Sequence, residues 1–149
     1  MTPYDMIRSH LSTVIPFANH VGVVLGDIGD GTATATLDQR TETSNHIQTQ
    51  HAGAMFTLGE AASGAALAGA LAPVILEVRP VASGAQISYV KIAKGTLTAH
   101  ATTSAPGADL LRELQEVGKV AFDVDVDVRD AAGDTVVTMK VGWHVKRAA

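Results

Sequence analysis

The sequence predicts an α+β domain in which a strongly curved antiparallel sheet of five or six strands wraps around one long helix. From His51 to Leu71 the chain carries a single charged side chain, Glu60, in a stretch rich in Ala, Gly and Leu. A helix that is apolar on all sides needs protein on most of its circumference. After Pro73, several segments alternate apolar and polar residues with the period of a strand. The length of 149 residues, without linker-like stretches, predicts one domain over residues 1–149.

Composition excludes several classes of protein. The net charge is −4, and the 11 Lys and Arg residues form no basic run, which argues against a nucleic-acid surface. There is no cysteine, so disulfide and thiolate chemistry are excluded. The first ten residues lack the basic start and apolar core of a signal peptide, so we expect a cytoplasmic protein. We expect the long helix to be buried in protein rather than in a membrane, because Glu60 is costly in lipid.

The chain before the long helix predicts one helix and one hairpin. Thr2 as the cap, Pro3 in the first turn and Asp5 three residues after the cap predict a helix from Pro3 to Val14, which ends before Pro16. Two strands, joined by a turn at residues 29–31, are predicted for "GVVLGDIGDG" and "TATATLDQ". The polar loop "RTETSNHIQTQ" then leads into the long helix.

The chain after Pro73 predicts five strands and a short helix. Three of the strands are "VILEVRP", "GAQISYVKIA" and "TLTAHATTS", and the amphipathic helix is "ADLLRELQEVG", ended by Gly118. The last two strands, "VAFDVDVDVRD" and "TVVTMKVGWHV", form a hairpin whose loop "DAAG" would set Arg129 opposite Asp134 and Asp123 opposite Lys140. Alternating aspartates on an exposed strand indicate a solvated face, and no metal site is expected.

This layout, together with "NHIQTQHAGAMFTLGEAASGAA", resembles the hotdog-fold thioesterases, and in particular the branch with phenylacetyl-CoA and 4-hydroxybenzoyl-CoA thioesterases. The motif of that branch is an Asn or Gln, a His-Gly-Gly six residues later, and an Asp or Glu nine residues beyond the His. Asn45, His51-Ala52-Gly53 and Glu60 stand at these spacings. The chain departs from the motif at Ala52, where the branch has Gly, and at Gly64, where it often has Thr or Ser.

The resemblance implies an enzyme that hydrolyses an acyl-CoA or aryl-CoA thioester to the free acid and CoA. The backbone N–H groups of Ala52 and Gly53, unpaired at the helix start, are the expected oxyanion hole. Glu60 is the expected general base or nucleophile, Asn45 would position the water or the carboxylate, and His51 would orient the loop. We expect burial to raise the pKa of Glu60, while a backbone N–H or Asn45 as hydrogen-bond partner would lower it.

A shared site is part of the same expectation. Ala52 and Glu60 are about 12 Å apart along one helix, at about 1.5 Å per residue, so one helix does not easily bring both to one carbonyl. The resemblance implies a homodimer or homotetramer in which each site combines the helix start of one subunit with the acid of another. It implies no cofactor, because CoA enters as part of the substrate.

Four further residues are candidate substrate contacts. Ser63, next to Gly64, is a candidate for the missing hydroxyl of the motif. Tyr89 is a candidate for the acyl pocket. Lys91 and Lys94 lie on the segment where similar thioesterases carry basic residues near the nucleotide, so they are candidates for contacts with the phosphates of CoA.

Two other functions stay open. Hydroxyacyl thioester dehydratases share the fold and use a His and a Glu fourteen residues apart, the spacing of His46 and Glu60. They carry Pro-Gly at the helix entrance, however, where this chain has Ala54-Met55. A non-catalytic acyl-CoA-binding module is the second alternative, favoured by Ala52 and Gly64. The sequence does not identify the acyl group, the size of the oligomer or the role of Glu60 as base or nucleophile.

Overall fold

The computed structural model describes residues 1–148. Within that range the helices are α1 (Pro3–Val14), α2 (Pro16–Val21), α3 (Ala52–Ala70) and α4 (Gly107–Val117). The strands are β1 (Val23–Gly29), β2 (Thr32–Leu37), β3 (Val78–Tyr89), β4 (Leu97–Thr103), β5 (Lys119–Arg129) and β6 (Thr135–Arg147). Short 3-10 turns occupy Thr41–Thr43 and Ala72–Glu77.

The six strands form one antiparallel sheet in the order β1-β2-β4-β5-β6-β3. One face of the sheet packs on α3, which confirms the predicted α+β class and the predicted helix within the sheet. Alternate side chains on β2, β5 and β6 point to this face and are buried, while those between them face solvent. The order leaves β1 and β3 at the two edges.

The small residues of α3 let the sheet approach the helix closely. A Cβ at Gly69 would collide with the carbonyl oxygen of Gly29, the last residue of β1. Likewise, a Cβ at Gly59 would press on the sulfur of Met139 from β6. Within residues 1–148, no helix is both long and apolar enough to cross a membrane.

Two helices at the start of the chain cover the open side of α3. The predicted start of α1 is confirmed: the Thr2 hydroxyl accepts from the Asp5 N–H at 3.1 Å, and the Asp5 carboxylate accepts from the Thr2 N–H at 3.0 Å. Helix α2 was not predicted. Pro16 not only ends α1 but also stands at the first position of α2, where proline is well tolerated.

Two strand predictions were wrong. The separate strands "VILEVRP" and "GAQISYVKIA" are in fact a 3-10 turn at Ala72–Glu77 followed by one long strand, β3. The register of the last hairpin differs by two residues, since Lys140 faces Asp125 rather than Asp123. An irregularity beside Arg129 and a five-residue loop cause the difference, because the N–H of Asp130 donates to the carbonyl of Asp134 at 3.0 Å and closes that loop.

Candidate functional site

The loop before α3 is held in shape by the side chain of Asn45. Its Oδ1 accepts from the N–H groups of Ile47 at 3.1 Å and Thr49 at 3.0 Å. Its Nδ2 donates to the Thr49 hydroxyl at 2.7 Å. The amide is thus bonded on both sides within its own loop. In this structure Asn45 shapes the entrance to the helix, and it makes no contact with Glu60.

The start of α3 is capped by His51. Its Nδ1 accepts from the Gly53 N–H at 2.8 Å, so the imidazole orients the first turn of the helix. In this structure the Gly53 N–H is therefore already paired, and the prediction that it serves as an oxyanion donor stays a prediction. Ala52 is exposed, and its N–H donates no hydrogen bond to any of the described residues. The Tyr89 hydroxyl donates to the Ala52 carbonyl at 3.1 Å, which ties β3 to the helix start.

Glu60 is partly buried in the middle of α3. Within residues 1–148, no hydrogen bond or ion pair reaches its carboxylate. Burial raises the pKa of the Glu60 carboxyl above its ordinary value, because the charged form loses hydration without gaining a donor. A carboxylate left in this state binds a proton more readily than an exposed one.

Glu60 lies on the wall of an apolar cavity of about 210 Å³. The cavity is open on one side and is lined by α3, by α1 and α2, by β1, by Ile75 and Pro80, and by Trp143 on β6. On α3 its wall runs from Glu60 and Ala61 through Gly64 and Ala65 to Ala68, positions that share one face of a helix. The small side chains after Glu60 leave the space open.

Ser63 belongs to the core and not to this cavity. Its hydroxyl donates to the carbonyl of Glu60 at 2.7 Å and accepts from the indole N–H of Trp143 at 3.1 Å. The side chain is fully buried. In this structure the Ser63 hydroxyl fixes Trp143 against α3, and the prediction that Ser63 contacts substrate stays a prediction. Gly64 reaches the cavity instead.

The two lysines predicted to contact CoA phosphates differ in their ion pairs within residues 1–148. The Lys91 ammonium pairs with Asp134 at 2.6 Å and Asp130 at 3.5 Å, and the hydrogen bond to Asp134 raises the pKa of Lys91. Its charge is thus largely neutralised on the β5–β6 loop, which makes it a poor phosphate ligand. Lys94 is exposed and makes no ion pair within residues 1–148. His46 is exposed in the loop, and its ring makes no hydrogen bond within the same range.

The described chain offers no obvious metal centre. No group of three or more His, Asp and Glu side chains within residues 1–148 comes together in a suitable arrangement. The alternate aspartates of β5 face outward, and Asp127 binds Arg129 at 2.6 Å.

Comparison with known proteins identifies the family of the chain. The model of a domain of unknown function, DUF4442, matches residues 5–145. The chain belongs to the DUF4442 family. No curated protein sequence matches it.

Solved structures that are similar to this DUF4442 chain share its fold at low sequence identity. A protein of unknown function from Pseudomonas aeruginosa, described as a probable thioesterase, has a TM-score of 0.80 and 21% identity over 99% of this chain and 97% of its own. The Escherichia coli PaaI protein from the phenylacetic acid degradation operon has a TM-score of 0.75 and 19% identity over 99% and 94%. A hypothetical thioesterase from Streptococcus pneumoniae, solved with coenzyme A, has a TM-score of 0.70 and 19% identity over 92% and 99%. The predicted hotdog fold and likeness to the PaaI-like branch are confirmed.

Sequence reasoning missed most of the cavity of this DUF4442 protein. Helix α2 has only six residues and stands between Pro16 and Gly22, so hydrophobic periodicity could not reveal it. Trp143 lies within the predicted last strand, but nothing in the sequence shows that its ring reaches Ser63 of α3, 80 residues earlier in the chain. The glycine at position 64 did indicate a cavity, because a residue without a side chain leaves space one turn beyond Glu60.

Proposed function

We propose that this DUF4442 protein hydrolyses an acyl-CoA thioester to the free acid and CoA. One observation carries the proposal: Glu60 is a partly buried carboxylate without a partner in the described chain, and it faces an apolar cavity. A purely structural acid would be expected to have a donor, since burying an unpaired charge is costly. The thioesterases among the structural neighbours, one of them solved with coenzyme A, support the substrate class.

In the proposed reaction, Glu60 acts as a general base. Its carboxylate takes a proton from a water molecule as the water oxygen attacks the thioester carbonyl carbon. The carbonyl oxygen becomes an oxyanion, and the bond from carbon to sulfur then breaks as the carbonyl re-forms. The CoA thiolate leaves and takes up a proton. Direct attack by Glu60, through an anhydride that water then hydrolyses, is the covalent variant of the same proposal. Neither route requires a cofactor or metal.

The proposed oxyanion donor is the Ala52 N–H at the positive end of the α3 dipole. It lies eight residues from Glu60 on the same helix, or about 12 Å at about 1.5 Å per residue. We therefore propose that the two groups meet on one thioester only when two copies of the chain associate. His51 and Asn45 would then act as positioning residues for the helix start. Lys94, which makes no ion pair in the described chain, is the better of the two lysine candidates for a CoA phosphate.

Strand β3 is the proposed contact between copies. It is an edge strand, so one side of its backbone has no neighbouring strand in the described chain. Ala85 pairs with the buried Val141 and so points to the same inner face of the sheet, yet Ala85 itself is exposed. Ala82, opposite Trp143, is exposed on that face as well. A second copy would cover both the unpaired edge and this uncovered apolar face.

The test measures thiol release from short, medium, long and aromatic acyl-CoA thioesters, with Glu60→Gln beside the parent. Glutamine keeps the shape of the side chain but cannot accept the proton, so we expect kcat/KM to fall at least a hundredfold. Glu113→Gln, the same change on the exposed face of α4, is the matched control and should release thiol at the parent rate.

The other outcomes identify the alternatives. Binding of acyl-CoA without thiol release by the parent would contradict hydrolysis and favour a binding module. Loss of water from a 3-hydroxyacyl thioester, abolished by His46→Ala and without thiol release, would favour a dehydratase. Equal rates for Glu60→Gln and the parent would remove Glu60 from the mechanism.

A further inference from the structure

The cavity beside Glu60 has a defined depth and direction. From Glu60, the wall on α3 continues through Gly64 to Ala68, which is two turns or about 12 Å further along the helix. Leu11 and Ile15 of the α1–α2 region face it from the other side. An acyl group attached to a carbonyl at Glu60 therefore has one apolar space to enter, and that space runs away from the start of α3.

The size of the cavity limits what can enter. An apolar cavity of about 150 Å³ is known to bind benzene, which corresponds to about 25 Å³ for each carbon atom. On that scale, the volume of about 210 Å³ beside Glu60 holds about eight carbons. A chain of sixteen carbons does not fit, and an acetyl group leaves most of the space empty.

The wall also limits the polarity of the acyl group. Apart from Glu60, the polar side-chain groups of the wall already make hydrogen bonds within the protein. The Ser12 hydroxyl donates to the Arg8 carbonyl at 2.7 Å, the Asn19 amide donates to the Ser12 carbonyl at 2.9 Å, and the Trp143 N–H donates to Ser63. A hydroxyl or carboxyl on the acyl chain beyond Glu60 would lie against the Ala, Gly and Leu positions of α3, which offer no side-chain partner.

We infer that the Glu60 cavity is the acyl pocket and that it selects an unsubstituted apolar acyl group of about six to eight carbons, straight-chain or phenyl. This inference rests on the proposed function, and it names the part of the substrate that the sequence does not identify. Each methylene that is not buried in the cavity, because the acyl chain lacks it or because it protrudes, lowers kcat/KM about fourfold, equivalent to about 0.8 kcal/mol.

The test compares thiol release from acetyl-, hexanoyl-, octanoyl-, phenylacetyl-, 3-hydroxyoctanoyl- and palmitoyl-CoA. We expect the highest kcat/KM for the hexanoyl, octanoyl and phenylacetyl thioesters, and a value about tenfold lower for the 3-hydroxyoctanoyl thioester than for octanoyl. Acetyl- and palmitoyl-CoA should be poorer by at least tenfold.

Variants of Gly64 test the same inference by reducing the volume of the cavity. A Cβ at Gly64 would meet only the ring of Trp143, at 3.6 Å, which is an ordinary contact, so Gly64→Ala should fold. Gly64→Val fills more of the cavity and should lower kcat/KM for octanoyl-CoA at least tenfold, while acetyl-CoA changes less than twofold. Gly64→Ala should move in the same direction by a smaller factor. Ala131→Val, at the exposed loop after β5, is the matched control.

Failure of this inference is distinct from failure of the proposed function. Thiol release with no preference for six to eight carbons, or a preference that both Gly64 variants leave unchanged, would overturn the acyl pocket and leave hydrolysis intact. If no thioester is hydrolysed, calorimetric binding of octanoyl-CoA and acetyl-CoA decides the matter. Octanoyl-CoA that binds at least tenfold tighter, with the difference lost in Gly64→Val, supports the pocket, and equal affinities overturn it.

Discussion

At the scale of single residues, the Glu60 carboxylate is the group whose burial costs hydration free energy without a compensating hydrogen bond. An amide or an alanine would fit the same place on α3 without loss of hydration, yet the chain keeps a carboxylate there and gives it no donor within residues 1–148. Its pKa is raised by burial, which means that folding favours the protonated form. A general base benefits from this arrangement, because a higher pKa makes the carboxylate a stronger proton acceptor.

The raised pKa of Glu60 predicts a pH-dependent gain in stability for Glu60→Gln. Well below 4.5 the carboxyl is protonated in both the folded and the unfolded chain, and the two proteins should be equally stable. As pH rises through 4.5 and then through the higher folded-state pKa, the unfolded chain holds fewer protons, so the parent loses stability. We expect the variant to be more stable than the parent at pH 8, by a difference that is reduced because water reaches the exposed part of the side chain.

Urea unfolding of both proteins at pH 4, 6 and 8 measures this difference. A Gln variant less stable than the parent at pH 8 would contradict the prediction, because it would mean that the carboxylate has a compensating donor. A difference that does not depend on pH would show that ionisation of Glu60 plays no part.

At the scale of elements, the sequence predicts helices with marked ends well. The capping box fixes the start of α1, and Gly118, with φ of 87°, ends α4 as predicted. Predictions fail where a short apolar run has no period of its own: "VILEVRP" reads equally well as strand or turn, and the structure divides it at Val78. Strand register fails for a different reason, since hydrogen bonds in the loop after Asp130, which alternation does not encode, shift the pairing.

The cap on α3 belongs to this scale and gives a further prediction. Removing the His51 imidazole leaves the Gly53 N–H without its acceptor, so His51→Ala should cost about 1 kcal/mol of stability. His51→Asn restores an acceptor at the cap and should recover most of that loss. Urea midpoints measure both variants, and His46→Ala, in the exposed part of the same loop, is the control. Equal midpoints for His51→Ala and His51→Asn would show that the cap contributes nothing.

At the scale of the whole molecule, the proposed site needs groups from two copies of the chain. The sequence places Ala52 and Glu60 at motif spacing, but no pattern in one chain shows which surfaces meet in an assembly. The structure adds the physical reason to look at β3, because its backbone edge and two inner-face alanines are uncovered. The cavity beside Glu60 could not be predicted either, because its walls come from elements far apart in the chain.

Assembly through β3 predicts that a charge on its inner face separates the copies. Ala85→Lys places an ammonium on the uncovered apolar face and should shift the protein towards monomer, with thiol release reduced at least tenfold. Gln86→Lys adds the same charge next to it, on the outward face opposite Lys140, and should leave both properties unchanged. Sedimentation velocity and thiol release are the measurements. A monomeric Ala85→Lys variant with full activity would show that one chain holds a complete site.

The bond between Trp143 and Ser63 has a practical consequence for the study of this protein. The sequence contains a single tryptophan, and its indole is both held to a buried hydroxyl on α3 and exposed to the cavity beside Glu60. Indole fluorescence excited at long wavelength therefore comes from one fixed ring on the wall of this cavity. The protein carries its own optical probe, and occupancy of the pocket can be followed in real time without labelling.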